Sequence, residues 1–280
     1  MSTKLKPGQT PLDYARRPWM IALFALTLIF LYAPIVSLIV FSFNVDKTGV
    51  WHGFTFMNYV KAWNNDDIFS ALSNSITIAV LCTIFSTILG AMTALTLWRF
   101  RFPFKNAYEG FVALPIVVPE ICMGVAVLMF FSRTGMTDAV ADLPWPFNLT
   151  NIVVAHIAFS FPFVTVVVRS RLHGFNRQLE EASKDLGASE VQTFFNVIVP
   201  FMMPALIAGA LLAFTLSLDD FVITFFSNGP STTTFPVKIY GMVKRGVDMQ
   251  INAASTVLIV ITLAATLIAM KFQSPSKAGH

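Results

Sequence analysis

Charge is scarce in this 280-residue chain. Only 12% of its residues are charged, 55% are hydrophobic, and the mean hydropathy is +0.68, whereas about a quarter of a soluble domain is charged. A water-soluble domain is therefore excluded, and the lipid bilayer is the expected solvent. The net charge of +4 comes from basic residues separated by long apolar runs, so it predicts membrane topology and argues against nucleic-acid binding.

Residues that bind metals or nucleotides are also few. Cys82 and Cys122 lie inside apolar runs, where a thiol behaves as a small hydrophobe, so no disulfide framework is predicted. Four scattered histidines offer no metal-ligand spacing. His156 and Ser160 are one helical turn apart without an acid nearby, which favours a packed polar contact over a hydrolase. No glycine-rich phosphate loop is present, so no catalytic residue or cofactor is predicted in this chain.

Long apolar runs are what the sequence has instead. A bilayer core of about 30 Å takes roughly 20 helical residues to cross, and the helix satisfies its own backbone groups in lipid. Six runs qualify, so we predict an all-α, polytopic membrane protein with six transmembrane helices. They are Trp19–Phe43, Ala71–Trp98, Glu109–Phe131, Asn151–Val168, Phe201–Phe226 and Ala253–Met270.

The basic residues predict the orientation. Most Lys and Arg lie in the tails and in the connections after the second, fourth and sixth runs, which places both termini in the cytoplasm. We expect cytoplasmic tails at 1–18 and 273–280 and one transmembrane domain at 19–272. The outer connections contain clustered aromatic residues, such as Trp51, Tyr59 and Trp63, which favour anchoring at the lipid headgroups.

The cytoplasmic segment 178–200 has a distinctive pattern. Acids early in its first stretch suit a helix N-terminus, and Gly187 permits a sharp turn. Ser189 is placed to cap a second short helix, which Pro200 is expected to end before the fifth crossing.

This pattern resembles the signature of permease subunits in binding-protein-dependent ABC importers. Glu181, Ala182, Gly187, Ile198 and Pro200 match in register, with Ser183 and Val199 as conservative departures. The resemblance implies a type I ABC importer permease fold in the inner membrane. It also implies that segment 178–200 docks on an ATPase, with Glu181, Ala182 and Gly187 in the coupling element and Glu180 and Asp185 as polar contacts.

The same resemblance implies the rest of the machine. The partners are a second permease subunit, two copies of an ATPase that binds ATP and Mg, and an external binding protein that delivers the substrate. The chain itself is then a transport subunit and not an enzyme.

Three acids lie well inside the predicted crossings, away from their ends. Glu120 follows two prolines four residues apart in the third run, which are expected to kink this helix. Asp219 and Asp220 lie in the fifth run. A charge at the bilayer centre costs roughly 2.5–3.5 kcal/mol or more, so each acid is expected to face a bundle interior or cavity.

Helical spacing predicts one cation-binding face. Phe214, Ser217, Asp220 and Phe221 are three or four residues apart, and an acid, a hydroxyl and aromatic rings suit an organic cation. Asp219 points about 100° away and is expected to brace the following loop. The alternative is a structural role, in which these acids pair with Lys238, Arg133 or freed backbone amides.

The run Leu212–Asp220, with Lys184–Ser189 and Asn228–Pro230, resembles the spermidine/putrescine branch of these permeases. This resemblance implies that Glu120, Asp219 and Asp220 help a polyamine to cross. The alternatives are the same importer class with another substrate, and an ATP-independent secondary transporter or cation channel that uses these acids as a relay.

Overall fold

The computed structural model describes residues 18–46, 50–229, 231–244 and 249–273. The predicted tails, 1–18 and 273–280, lie outside the described residues except for Pro18 and Gln273. Regular structure in the described part is helical, apart from an isolated bridge between Asn44 and Phe54.

Thirteen α-helices follow one another in the described residues. They are α1 (Pro18–Phe41), α2 (Met57–Trp63), α3 (Asp66–Arg99), α4 (Lys105–Val117), α5 (Glu120–Thr134), α6 (Met136–Ala141), α7 (Thr150–Leu172), α8 (Gln178–Asp185), α9 (Glu190–Thr193), α10 (Val199–Leu218), α11 (Val222–Ser227), α12 (Phe235–Val243) and α13 (Met249–Gln273). A 3-10 turn, Phe147–Leu149, precedes α7, and a π-helix, Phe194–Ile198, joins α9 to α10.

The chain divides into two compact units. The first unit comprises residues 1–62 and 247–257. Within it, α1 is apolar around its whole circumference and has no buried residue, as expected of a helix surrounded by lipid. The predicted aromatic connection is folded, since the Phe43 ring stacks on Phe54 and Asn58 donates hydrogen bonds to the carbonyls of Ser42 and Asn44.

The second unit comprises residues 63–246 and 258–280. Its longest helix, α3, begins at a capped N-terminus, because the Asn65 side chain accepts a hydrogen bond from the Ile68 amide. Asp66 and Asp67 in its first turn and Arg99 in its last turn complement the helix dipole.

Helices α3, α7 and α10 form the core of this unit around Val164, which is completely buried. A Cβ atom built on Gly90 of α3 would lie 2.7 Å from the Val164 Cβ. One built on Gly209 of α10 would lie 2.9 Å from a Val164 methyl group. The two glycines therefore let both helix backbones approach one valine closely.

Four of the six predicted crossings coincide with helices long enough to span a bilayer. Four helical stretches are long and apolar enough to cross a bilayer: Pro18–Phe41, Asp66–Arg99, Phe147–Leu172 and Glu190–Leu218. The bent pair α4 and α5 raises the number to at most five in the described chain. The predicted sixth crossing lies within α13, whose described apolar stretch, Met249–Ala264, is shorter.

The two runs that contain acids differ from the prediction. The third is not a kinked helix: its chain bends by 107° between α4 and α5, because Val118 and Pro119 have extended backbones and Pro119 offers no amide donor. The fifth ends at Leu218 instead of Phe226, and α11 follows after a break at residues 219–221. Both breaks coincide with the acids.

Candidate functional site

Segment 178–200 begins with the helix α8 and a tight turn. Gly187 has a φ of 87°, the left-handed conformation that glycine adopts without strain. The Ala188 amide donates to the Ser183 carbonyl at 3.1 Å and the Gly187 amide to the Lys184 carbonyl at 2.9 Å. This pair of bonds is the Schellman arrangement that ends a helix, so the predicted turn at Gly187 is present.

The second half of the segment starts at the predicted cap. The Ser189 hydroxyl accepts from the Gln192 amide, and the Gln192 side chain accepts from the Ser189 amide, which forms a capping box. Pro200 does not end this helix as predicted. It lies in the first turn of α10, where a missing amide donor is tolerated, and the π-helix leads into it without a break.

An ion pair attaches the segment to α3. The two terminal nitrogens of Arg99 donate to the two Glu180 carboxylate oxygens at 2.8 and 3.2 Å. Lys184 lies 3.3 Å from Glu180 and 3.3 Å from Glu190. The hydrogen bonds from Arg99, followed by the interactions with Lys184, lower the pKa of Glu180 despite its desolvation. The Glu180 side chain is only 13% exposed, so most of it is covered by its own chain.

Much of the segment is exposed. Glu181, Ala182, Asp185 and Gly187 are all exposed. The exposed fraction of Leu186, at the tip of the turn, is 90%. Val191 and Phe195 are exposed as well. Apolar side chains beside exposed acids, outside the predicted bilayer, are typical of a protein interaction surface.

The two helix breaks bring the three acids together. Glu120 is the first residue of α5, and Asp219 and Asp220 form the link between α10 and α11. Helix α11 packs on α5 so closely that a Cβ atom on Gly124 would lie 2.5 Å from the Phe226 ring. Glu120 and Asp219, one at each break, are both exposed.

Asp220 has a different environment from the one predicted. Its side chain is 5% exposed and accepts hydrogen bonds from the amides of Ile223 and Thr224, at 3.3 and 2.8 Å, and from the Thr224 hydroxyl at 2.9 Å. These are the freed amides of the structural alternative. Asp220 therefore has the contacts expected of the structural alternative, whereas Asp219, which was expected to brace the loop, is exposed.

The predicted common helix face is also wrong, because α10 ends before Asp220 and Phe221. Phe214 is half-buried on α10, and Ser217 is buried. Phe221 lies within the break, where its ring packs against Tyr240 at 4.9 Å between ring centroids. Lys238, one predicted partner of the acids, pairs instead with Asp67 at 2.6 Å.

His156 is not the isolated histidine that the sequence suggested. Its Nε2 atom lies 3.3 Å from the Asp220 carboxylate and 2.9 Å from the Thr224 hydroxyl. Its Nδ1 atom lies 2.7 Å from the Ser217 hydroxyl. Ser160, the predicted partner, has a buried hydroxyl without a hydrogen-bond partner. The acid that contacts His156 is Asp220, which lies 64 positions further along the sequence.

Residues 86–274 match the family described as the binding-protein-dependent transport system inner membrane component. The chain belongs to this family. Two relatives from Escherichia coli (strain K12) cover most of its length. It is 40% identical over 266 residues to the spermidine/putrescine transport system permease protein PotC, and the alignment covers 95% of this chain and 96% of PotC. It is 38% identical over 252 residues to the putrescine transport system permease protein PotI, and the alignment covers 89% of this chain and 88% of PotI.

The fold of this permease is that of a known ABC importer. It is similar to the crystal structure of a bacterial ABC transporter involved in the import of the acidic polysaccharide alginate, with a TM-score of 0.72 at 18% sequence identity over 95% of this chain and 96% of that chain. The predicted family and importer permease fold are confirmed.

Three residues that contact or belong to segment 178–200 and the second helix break were not predicted from sequence. Arg99 contributed only to the predicted orientation in the membrane, and His156 was expected only to make a local packing contact. Leu186 had a visible signal, because an apolar residue directly before a turn glycine interrupts an otherwise polar stretch. Arg99 and His156 had no local signal, since their partners, Glu180 and Asp220, lie far along the chain.

Proposed function

We propose that this chain is a permease subunit of an ATP-driven importer that carries a polyamine, putrescine or spermidine, across the inner membrane. One observation supports this cargo most directly. The chain is 40% identical, over almost its whole length, to a permease named for spermidine and putrescine transport. The fold alone does not define the cargo, since an importer of an acidic polysaccharide has a similar fold.

The acids at the two breaks agree with a cationic cargo. Glu120 and Asp219 are exposed and lie within electrostatic range of each other, and Phe221 adds an aromatic ring beside the same break. A polyammonium chain would pair its charges with the two carboxylates and with ring faces. Asp220 stabilises the break, while Glu120 and Asp219 line the path.

Segment 178–200 is the proposed ATPase-coupling element. Its exposed face offers the apolar Leu186 and the acids Glu181 and Asp185 to a groove of a partner ATPase, which binds ATP and Mg. Glu180 instead joins the element to α3 through Arg99. Closure of the ATPases would move a rigid helix pair, and the ion pair would pass that movement to the membrane helices.

The assembly follows from this role. A second permease subunit, two ATPase copies and an external binding protein complete the importer, and both termini of this chain face the cytoplasm. The transmembrane domain covers 19–272.

Reconstitution in proteoliposomes tests the proposal. The complete importer is supplied with its binding protein loaded with putrescine, with spermidine or with an unrelated neutral solute, and ATP hydrolysis and uptake are measured. We expect stimulation of both by the polyamines only. Stimulation by the neutral solute alone would refute the cargo, and uptake that persists with an inactivated ATPase would favour a secondary transporter.

A substitution separates coupling from transport of the cargo. Glu181→Lys reverses an exposed charge on the coupling face, so we expect normal membrane insertion and a loss of most substrate-stimulated ATPase activity. Asp142→Lys, a reversal at an exposed acid of the second outer connection, is the matched control. Equal ATPase stimulation in the two variants would remove the coupling role from Glu181.

A further inference from the structure

A buried hydrogen-bond network spans the break between α10 and α11. It joins His156 of α7, Ser217 of α10 and Thr224 of α11 to Asp220 in the link. The side chains of His156 and Asp220 are 2% and 5% exposed. Ser217 is 5% exposed, and Thr224 is fully buried. An ionisable pair inside a membrane bundle is costly, so a satisfied pair at a helix break calls for a functional explanation.

The polar atoms of this network all have partners within it. The Nδ1 atom of His156 faces the Ser217 hydroxyl, and its Nε2 atom faces Thr224 and Asp220. The Thr224 hydroxyl donates to Asp220. The Asp220 carboxylate also accepts from the backbone amides of Ile223 and Thr224. Such a closed network fixes a single geometry.

The same atoms do not form a hydrolytic site. Ser217, His156 and Asp220 form a hydroxyl, imidazole and carboxylate series, but the ring nitrogens are exchanged relative to a serine hydrolase triad: Nδ1 faces the hydroxyl and Nε2 the carboxylate. All three are buried within the bundle, so the Ser217 hydroxyl does not meet a substrate. The network acts on the shape of the break.

We propose that His156 is a positioning residue for transport. By holding Asp220 to α7, α10 and α11 at once, it fixes the backbone at residues 219–221 and keeps the Asp219 carboxylate exposed beside Glu120. The role of Asp219 in the substrate path rests on the proposed function, whereas the geometric effect of His156 does not.

Cysteine labelling tests this effect without any cargo. In the complete importer, Asp219→Cys is placed in a Cys122→Ser background, because Cys122 is exposed and Cys82 is buried. The rate of modification by a cationic methanethiosulfonate is measured with His156, with His156→Leu and with His156→Gln. We expect His156→Leu to slow labelling by at most about fivefold, the factor by which the loss of a hydrogen bond worth about 1 kcal/mol shifts a conformational equilibrium. His156→Gln, which retains a donor and an acceptor, is expected to restore most of the rate.

A second pair of variants guards against misfolding. Thr224→Val removes one hydroxyl at nearly constant volume, and Thr224→Ser retains it, so we expect slow and normal labelling respectively. Asp142→Cys in the same background reports on general structure and should react equally in every variant. Unchanged labelling at position 219 in both His156→Leu and Thr224→Val, or failure of His156→Gln to restore the rate, would overturn the proposal.

Polyamine-stimulated ATPase activity, measured on the same His156 variants with Asp219 present, connects geometry to transport. We expect it to fall and recover in parallel with labelling. Loss of stimulation with normal labelling would also refute positioning. If the unsubstituted importer ignores polyamines while labelling still depends on His156, the cargo assignment fails and the positioning role stands.

Discussion

The ion pair between Arg99 and Glu180 is expected to hold the coupling element on the membrane helices. Arg99→Gln removes a fork of two hydrogen bonds, at 2.8 and 3.2 Å. Exposed ion pairs contribute about 0.2–1 kcal/mol, and hydrogen bonds to charged groups about 1.5–3 kcal/mol. Because Arg99 is 36% exposed and Glu180 only 13%, water screens the pair partially, and we take about 1 kcal/mol. The equilibrium between attached and detached α8 should shift about fivefold.

Hydrogen exchange measures this shift directly. The backbone amides of α8 and of the turn at Gly187 should exchange about fivefold faster in Arg99→Gln than in the unsubstituted importer, while the amides of α7 remain unchanged. Arg101→Gln removes a neighbouring exposed charge and serves as the matched control. The double change Arg99→Glu with Glu180→Arg should restore much of the protection.

The stabilisation by the Arg99–Glu180 pair should depend on pH. The pKa of Glu180 is lowered from its ordinary value of 4.5, first by the hydrogen bonds from Arg99. A lowered pKa means that the stabilisation is present above the ordinary value and is lost as the pH falls through the lowered one. The difference in the exchange rate of the α8 amides between Arg99→Gln and the unsubstituted protein should therefore persist at neutral pH and disappear in acid. Equal exchange in the two proteins at neutral pH would refute the attachment.

Two further predictions concern glycines. Gly187→Ala forces a side chain into a φ of 87°, so the turn should lose roughly 1–2 kcal/mol of stability. Faster hydrogen exchange of the Ala188 amide measures this loss. The control is Gly174→Ala, because Gly174 has a negative φ and its added Cβ atom would have only a 3.6 Å contact. Gly90→Ala places a Cβ atom 2.7 Å from Val164, and overpacking of this kind costs about 1–3 kcal/mol. The melting temperature of the purified importer should therefore fall, and it should recover when Val164→Ala is added. It should stay unchanged in the control Gly110→Ala, because nothing lies within 4 Å of a Cβ atom there.

The two helix breaks illustrate how proline and charge act together. Pro119 was visible in the sequence as a kink, but the bend of 107° depends on the extended backbones of Val118 and Pro119 as well. No proline marks the second break. There the Asp220 carboxylate takes the amides of Ile223 and Thr224, and so replaces the carbonyl partners that a continuous helix would supply.

The sequence by itself determined that the bilayer is the solvent, that the fold is helical, and where the segment with the family signature lies. These depend on local properties: long apolar runs can satisfy their backbones only as helices in lipid, and a turn such as that at Gly187 needs a glycine wherever it occurs. The matching register of Glu181, Gly187 and Pro200 likewise lies within one short stretch.

Tertiary structure alone decided which acids are exposed and which are held. Asp219 and Asp220 are adjacent in sequence and alike in charge, so no local pattern distinguishes them. The distinction arises because His156 and Thr224, from two other helices, meet Asp220, while Asp219 is exposed. Arg99 and Glu180 are paired in the same way, across 81 positions of chain, because helix packing brings distant residues together.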